Sequence, residues 1–168
     1  GNFNFELIKN IKQFPSKELF EKFGYDPNNK EETIKNYIKI QENINNKNSV
    51  QFLKTHSYLF NINNHAFTDL KNSLGVVYIV RDPRNVVTSW ANHNSSSVED
   101  AADYLISQTE MGDDSKVFHG TWSGNYQSWK SFQYQDRYLL IKYEDLISNK
   151  KLTFLKILEF VAKLNKAK

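Results

Sequence analysis

The sequence predicts an α/β protein in which helices cover both faces of one parallel sheet. Two observations support this three-layer arrangement. The apolar run Val76–Val80 is continuous rather than alternating, as in parallel strands that are buried on both faces. Such runs also alternate with helical segments along the chain. A length of 168 residues fits one domain with a hydrophobic core.

The first half of the chain is predicted to contain three helices and two strands. Ser16 can cap a first helix and Gly24 can end it in a left-handed conformation. Apolar residues recur at helical spacing over 28–44, which predicts a second helix. A strand at Val50–Lys54 and a short helix at Ala66–Gly75 precede the strand Val76–Val80.

The second half begins with a helix that Asp82 can cap, since Pro83 at its first position needs no hydrogen-bond partner. Ser96 and Glu99 have the spacing of a capping box at the start of another helix, which is predicted over 96–110. The remaining predicted elements are a helix over 120–133, a strand at Arg137–Tyr143 and a final helix over 152–164.

Three predicted strand ends carry polar or charged side chains: Lys54–His56, Arg81–Arg84 and Tyr143–Asp145. Ligands of open α/β sheets bind beyond the carboxyl ends of the strands. We therefore expect these residues to converge on one edge of the sheet.

Arg81 directly follows a strand and precedes a helix N-terminus, a position that favours an anion such as phosphate. Ser89, two turns into that helix, could add a hydroxyl group. The alternative is that Arg81 pairs with Asp82 or a nearby glutamate and that Ser89 only packs. Spacing alone does not separate these interpretations.

His56 could accept a proton from an alcohol, and Lys54 could stabilise developing negative charge. The alternative is a surface histidine that is hydrogen-bonded to the backbone. Tyr143 could stack on a base or simply pack on a helix. The histidines lack the spacing of metal ligands, so we expect no metal site.

Composition limits the class of protein. The net charge of +3 is too small to indicate nucleic-acid binding, and no apolar run approaches the roughly 20 residues that span a bilayer. The absence of cysteine excludes disulfides and suits a reducing compartment. No secretory signal is visible, so we expect a cytoplasmic protein.

Four segments together resemble the sulfotransferase family. "FLKTHSYLF" resembles its Lys-Thr-His segment, and "YIVRDPRNVVTSWANH" its 3′-phosphate-binding strand–turn–helix. "GTWSGNYQSWKSF" resembles its Gly-x-Trp helix, and "RYLLIKYEDLISNKKLTFLKILEFV" its strand–Tyr-Glu-Asp–helix segment. The resemblance covers roughly Gln51 to Val161 in matching order.

The resemblance implies transfer of a sulfuryl group from 3′-phosphoadenosine 5′-phosphosulfate (PAPS) to a hydroxyl or amine of a small molecule, with no metal. By that resemblance His56 is the general base, with Lys54 beside it. Arg81 and Ser89 hold the 3′-phosphate, and Tyr143 belongs to the nucleotide site. The fold would be that of P-loop NTPases and sulfotransferases.

Two of the family's segments have no counterpart in the sequence: the first phosphate-binding loop and the late Arg-Lys-Gly segment. We therefore expect residues 1–168 to be one partial sulfotransferase domain from a longer enzyme, inactive alone. The alternatives are a nucleotide kinase or NTPase domain, and a non-enzymatic fragment that binds a nucleotide or a partner.

Overall fold

The computed structural model describes residues 11–45, 50–107 and 117–166. They form two compact units: the first unit comprises the described residues 11–45, 50–72 and 117–119, and the second comprises 73–107 and 120–166. The elements of the first unit are β1 (Lys12–Gln13), α1 (Lys17–Lys22), α2 (Lys30–Asn45), β2 (Leu53–Lys54), β3 (Asn61–Ile62) and β4 (His65–Ala66). The elements of the second unit are β5 (Val76–Val80), α3 (Pro83–Asn94), α4 (Val98–Ser107), α5 (Trp122–Trp129), a 3₁₀ helix (Lys130–Gln135), β6 (Tyr138–Lys142), α6 (Tyr143–Ser148) and α7 (Lys150–Lys166).

The core of the first unit is built from aromatic rings around α2. Tyr37 is fully buried, and its ring lies 5.3–5.9 Å, between centroids, from four phenylalanine rings. These rings belong to Phe14, Phe20, Phe60 and Phe67. Edge-to-face and tilted contacts of this kind stabilise aromatic clusters beyond simple burial. The cluster anchors the chain on both sides of β2.

The second unit is organised around the parallel pair β5–β6, in which Val76 lies opposite Tyr138 and Val80 opposite Lys142. Because the pair is parallel and in this register, the residues that follow β5 and β6 leave the sheet at the same edge. Gly75 precedes β5 at a point where a Cβ atom would stand 2.5 Å from Leu164 of α7. The helix α7 therefore packs closely on the start of β5.

The α/β class predicted from the sequence is confirmed, and so are the cap of α1 and the start of α3. The Ser16 side chain accepts a hydrogen bond from the backbone of Leu19, and Gly24 follows with φ of 81°. Asp82 caps α3, and Pro83 is its first residue.

The expectation that all three predicted strands share one sheet is wrong for the described residues. The strand at 50–54 is shortened to Leu53–Lys54 and pairs in parallel with β1 in a separate two-stranded sheet. One edge of β2 is bound by this segment: the N–H of Phe14 donates to the carbonyl oxygen of Lys54 at 2.8 Å, and that of Lys12 to the carbonyl oxygen of Phe52 at 3.4 Å.

The predicted helix at Ala66–Gly75 is also wrong, because a β-hairpin and turns occupy this region. The strands β3 and β4 pair antiparallel across Asn63 and Asn64, whose φ values are 51° and 66°. Two successive residues with positive φ form the type of turn that matches the twist of a hairpin.

The predicted capping box at Ser96 is displaced by one residue. The hydroxyl group of Ser97 accepts the hydrogen bond, from the backbone of Asp100. Ser95 adopts a left-handed conformation that ends α3, so the chain has to turn before α4 begins. The last three residues of this predicted helix, 108–110, lie outside the described ranges.

Candidate functional site

The second unit brings Arg81 and Tyr143 together at the edge where β5 and β6 end. Val80 lies opposite Lys142, so the next residue of each strand leaves the sheet beside the other. The guanidinium carbon of Arg81 lies 4.8 Å from the centroid of the Tyr143 ring. Such a cation–π contact orients the guanidinium group without neutralising its charge.

Asp82 is bound to Arg84 rather than to Arg81. One carboxylate oxygen accepts hydrogen bonds from the Arg84 backbone N–H (2.9 Å) and Nε (3.0 Å). The other lies 2.6 Å from Arg84 Nη2. The Arg84 guanidinium and its backbone N–H hold the pKa of Asp82 at about 2. Within the described residues Arg81 makes no ion pair, so its predicted pairing with Asp82 is not found.

Asp82 also occupies the backbone donors of the first helical turn. Its carboxylate takes the N–H of Arg84, and its carbonyl oxygen takes those of Asn85 and Val86, each at 3.0 Å. Attraction of an anion to this junction therefore rests on the guanidinium group of Arg81 more than on open amides.

Glu144 connects the two strand ends. Its Oε1 accepts a hydrogen bond of 3.1 Å from the backbone N–H of Asp82, across 62 residues of sequence. This bond is the main reason that the pKa of Glu144 is lowered, with a smaller contribution from the charge of Arg81. Glu144 thus holds the turn after β5 against the start of α6.

Ser89 lies exposed on α3, in the same unit as Arg81. Its hydroxyl group makes no hydrogen bond with any residue of the described ranges. The helix therefore presents this hydroxyl to solvent, and the structure shows no direct contact between Ser89 and Arg81.

The first unit places Lys54 at the end of β2 and His56 two residues further on, where Phe118 binds the backbone that follows. Ser57 is buried, and its hydroxyl oxygen accepts a hydrogen bond of 3.2 Å from the N–H of Phe118. The N–H of Tyr58 donates to the carbonyl oxygen of Phe118 at 2.8 Å. Lys54 and His56 are both exposed, close in sequence to these hydrogen-bonded residues.

The ring of His56 stacks on the ring of His119, which sequence reasoning did not select. The ring centroids are 5.9 Å apart and the planes are inclined by only 5°. Partial removal from water, and then the charge of Lys54, lowers the pKa of His56. Burial, and then the proximity of His56, lowers the pKa of His119 to about 4. Both rings are therefore neutral near neutral pH.

No group of three or more metal-binding side chains occurs among the described residues. None of the helices within 11–45, 50–107 and 117–166 combines the length and apolar character that crossing a membrane requires. The geometry thus consists of a guanidinium group on an aromatic ring in one unit and a pair of neutral imidazoles near a lysine in the other.

The chain belongs to the sulfotransferase domain family, whose profile matches residues 5–166. It is 33% identical over 92 residues to sulfotransferase 2A1 of Rattus norvegicus and 30% identical to sulfotransferase 2A6 of Mus musculus. It is 28% identical over 89 residues to 3-alpha-hydroxysteroid sulfotransferase of Cavia porcellus. Each match covers 52% of this chain, but only 31% of the length of the relative.

Proposed function

We propose that this chain supplies the 3′-phosphate-binding residues and the general base of a PAPS-dependent sulfotransferase. One observation carries the nucleotide half of the proposal: Arg81 is oriented by Tyr143 and makes no ion pair in the described ranges, while the adjacent carboxylate of Asp82 is bound by Arg84. A guanidinium group in this state is suited to a phosphate, which it can bind through two parallel hydrogen bonds.

The nucleotide site would use three residues of the second unit. Arg81 binds the 3′-phosphate, and the exposed hydroxyl group of Ser89 adds a hydrogen bond to it. Tyr143 orients the guanidinium group and offers its ring to the nucleotide. The family membership supports these roles, because the resemblance gave the same residues independently of the geometry.

The reaction would be an in-line displacement at sulfur. The acceptor oxygen or nitrogen forms a bond to the sulfur of PAPS as the bond from sulfur to the 5′-phosphate oxygen breaks. His56 takes the proton of the acceptor, and its lowered pKa keeps it in the form that can do so. Lys54 provides positive charge near the reacting groups. The products are the sulfated acceptor and adenosine 3′,5′-bisphosphate (PAP).

The acceptor would be a small molecule with a hydroxyl or amine group. One relative is named for a hydroxysteroid, which supports a hydroxyl group. The family membership favours this function over the nucleotide kinase or NTPase alternative. A non-enzymatic nucleotide-binding role would be distinguished by PAP binding without turnover of any acceptor.

The first test is PAP binding to the full-length protein by calorimetry. Arg81→Ala removes a charged hydrogen bond to phosphate, which should cost on the order of 1.5 to 3 kcal/mol, or about ten- to a hundredfold in affinity. The matched control is Arg84→Ala, which removes the other guanidinium group of the same turn and should lose much less. Unchanged PAP affinity in Arg81→Ala would refute the assignment.

The second test concerns the base. We expect His56→Ala to lower turnover by about two to four orders of magnitude and to leave PAP affinity nearly intact, since general-base catalysis contributes about that much. Single-turnover assays with radiolabelled PAPS against phenols, alcohols and amines measure the effect. Full turnover in His56→Ala would place the base elsewhere.

A further inference from the structure

His119 lies where it can control the ring of His56. The planes of the two rings are nearly parallel, inclined by 5°, and their centroids are 5.9 Å apart. The parallel His119 ring therefore shields one face of the His56 ring only in part, and His56 stays exposed overall. A stacked neighbour restricts rotation of the imidazole about its side-chain bonds, and the proton acceptor of a reaction needs such a fixed direction.

The segment that carries His119 is itself held rigidly. Phe118 is 7% exposed, and its ring packs edge-on against Phe60 at 5.0 Å. Its backbone is bound on both sides, by the hydroxyl group of Ser57 and by the N–H of Tyr58. Ser57 and Tyr58 directly follow His56. Hydrogen bonds therefore connect the backbone segment that carries His56 to the segment that carries His119.

The charges around the pair favour neutral rings. Lys54 acts on His56 from the end of β2, and its charge opposes protonation. Lys30 lies at the start of α2, and its Nζ is 5.4 Å from the centroid of the Phe118 ring. Phe118 directly precedes His119 in the sequence. His56 in turn opposes protonation of His119, because two neighbouring cations would repel each other.

We propose that His119 is a positioning residue for His56, which fixes the plane of the base and disfavours its protonation by shielding part of one face of its ring. The catalytic role of His56 in this proposal rests on the proposed function. The effect of His119 on the His56 ring does not depend on that function. His119 does not itself take the proton of the acceptor. A flat, non-titrating ring should therefore replace it.

The matched variants are His119→Phe, which keeps a flat ring, and His119→Ala, which removes it. NMR titration of the His56 imidazole in the full-length protein gives a readout that is independent of turnover. The signal that disappears in His56→Gln assigns the His56 imidazole. We expect His119→Ala to move the His56 midpoint up, toward the ordinary value of about 6.5, and His119→Phe to keep it low.

The pH profile of kcat/KM provides the catalytic readout. We expect His119→Ala to lose more activity at about pH 6 than at about pH 8, because a raised midpoint protonates the base at the lower pH. The KM for PAPS should not change. His119→Phe should restore the acidic limb of the wild-type profile.

Three results would overturn the proposal: an unchanged His56 midpoint in His119→Ala, an equal shift in His119→Phe, or no nuclear Overhauser effect between the two rings in the wild-type protein. The last measurement needs no variant, so it decides even if His119→Ala does not fold. Full activity in His56→Ala would instead refute the proposed base, and the NMR titration would still test the effect of His119 on the ring.

Discussion

At the scale of single residues, the two arginines of the turn after β5 have different roles because of their distance from the helix cap. Arg84 lies two residues after Asp82, close enough for its backbone N–H and its guanidinium group to reach the same carboxylate. Arg81 precedes the cap, and its side chain instead lies on Tyr143. The turn therefore contains a neutralised pair and one guanidinium group that is not paired with it.

The cap at Asp82 can be tested by comparing Asp82→Ala with Asp82→Asn. Alanine removes the acceptor for the Arg84 N–H, whereas asparagine keeps an oxygen acceptor and loses only the charge. We expect the melting temperature to fall more for alanine than for asparagine. Equal decreases would show that the charge pair with Arg84, rather than the cap, stabilises the turn.

The stability of the protein should depend on pH through His119. The pKa of histidine is about 6.5 when unfolded, and that of His119 is about 4 when folded. Between these values the unfolded chain binds a proton that the folded chain excludes, so the free energy of unfolding decreases as the pH falls through this window. The contribution amounts to as much as about 3 kcal/mol.

Urea denaturation of wild type and His119→Phe, at about pH 7 and about pH 4.5, measures this contribution. Other groups titrate in both proteins, so the difference between their pH dependences isolates His119. We expect the phenylalanine variant to lose less stability on acidification. Parallel losses in the two proteins would contradict the assignment.

The sequence predicted the parts of the candidate site that depend on local order, and missed the contacts between distant segments. The change from a strand to a helix in the sequence predicts the positions of Arg81, Asp82 and Pro83. His119 has no periodic or motif signal, and only the backbone pairing of Phe118 with Ser57 and Tyr58 brings it to His56. The bond of Glu144 to Asp82 is equally non-local.

At the scale of elements, the hairpin β3–β4 shows why the helix predicted at Ala66–Gly75 was wrong. Asn63 and Asn64 tolerate positive φ, so this pair can make a two-residue hairpin turn without glycine. The hairpin then starts the next segment as a strand. A local helical interpretation that begins at Ala66 cannot include the pairing of Ala66 with Asn61.

The contact of α7 with the start of β5 can be tested by Gly75→Ala. The added Cβ would stand 2.5 Å from Leu164 Cδ1, 3.0 Å from the carbonyl oxygen of Arg137 and 3.3 Å from Phe160 Cζ. Overpacking of this kind costs about 1 to 3 kcal/mol. Equilibrium denaturation measures the loss.

A double-mutant cycle with Leu164→Ala separates the two main clashes. Truncation of Leu164 makes room for the new methyl group but leaves the carbonyl oxygen of Arg137 in place. We expect Gly75→Ala to be less destabilising in the Leu164→Ala background than in the wild type, which is a favourable coupling. Additive losses would show that the backbone contact alone determines the cost.

At the scale of the whole molecule, the α/β class was predictable because it depends on the order of segments, whereas sheet membership was not. Apolar runs do not specify their partners, and β2 pairs with β1 along one of its edges. Among the described residues the pair β5–β6 follows the expected parallel pattern, although β6 is Tyr138–Lys142 and thus shorter than the predicted strand Arg137–Tyr143.

The second unit exposes several large apolar side chains. Ile79 of β5 is 53% exposed, Ile147 of α6 is 58% exposed, and Leu152 and Leu155 of α7 are 50% and 43% exposed. Apolar surface of this kind promotes association. We expect the 168-residue chain, expressed alone, to self-associate in light-scattering measurements, and Ile147→Gln with Leu152→Gln to reduce the effect. A monodisperse monomer at high concentration would contradict this prediction.

The aromatic residues of the two units differ in a way that matters for spectroscopy. All three tryptophans of the sequence, Trp90, Trp122 and Trp129, belong to the second unit, whereas the buried aromatic residues of the first are phenylalanine and tyrosine. Emission excited selectively in tryptophan therefore reports on the surroundings of Arg81 and Tyr143. The stacked histidines lie in the unit that contains no tryptophan. Changes at His56 therefore have to be followed by NMR or with an isotopic label.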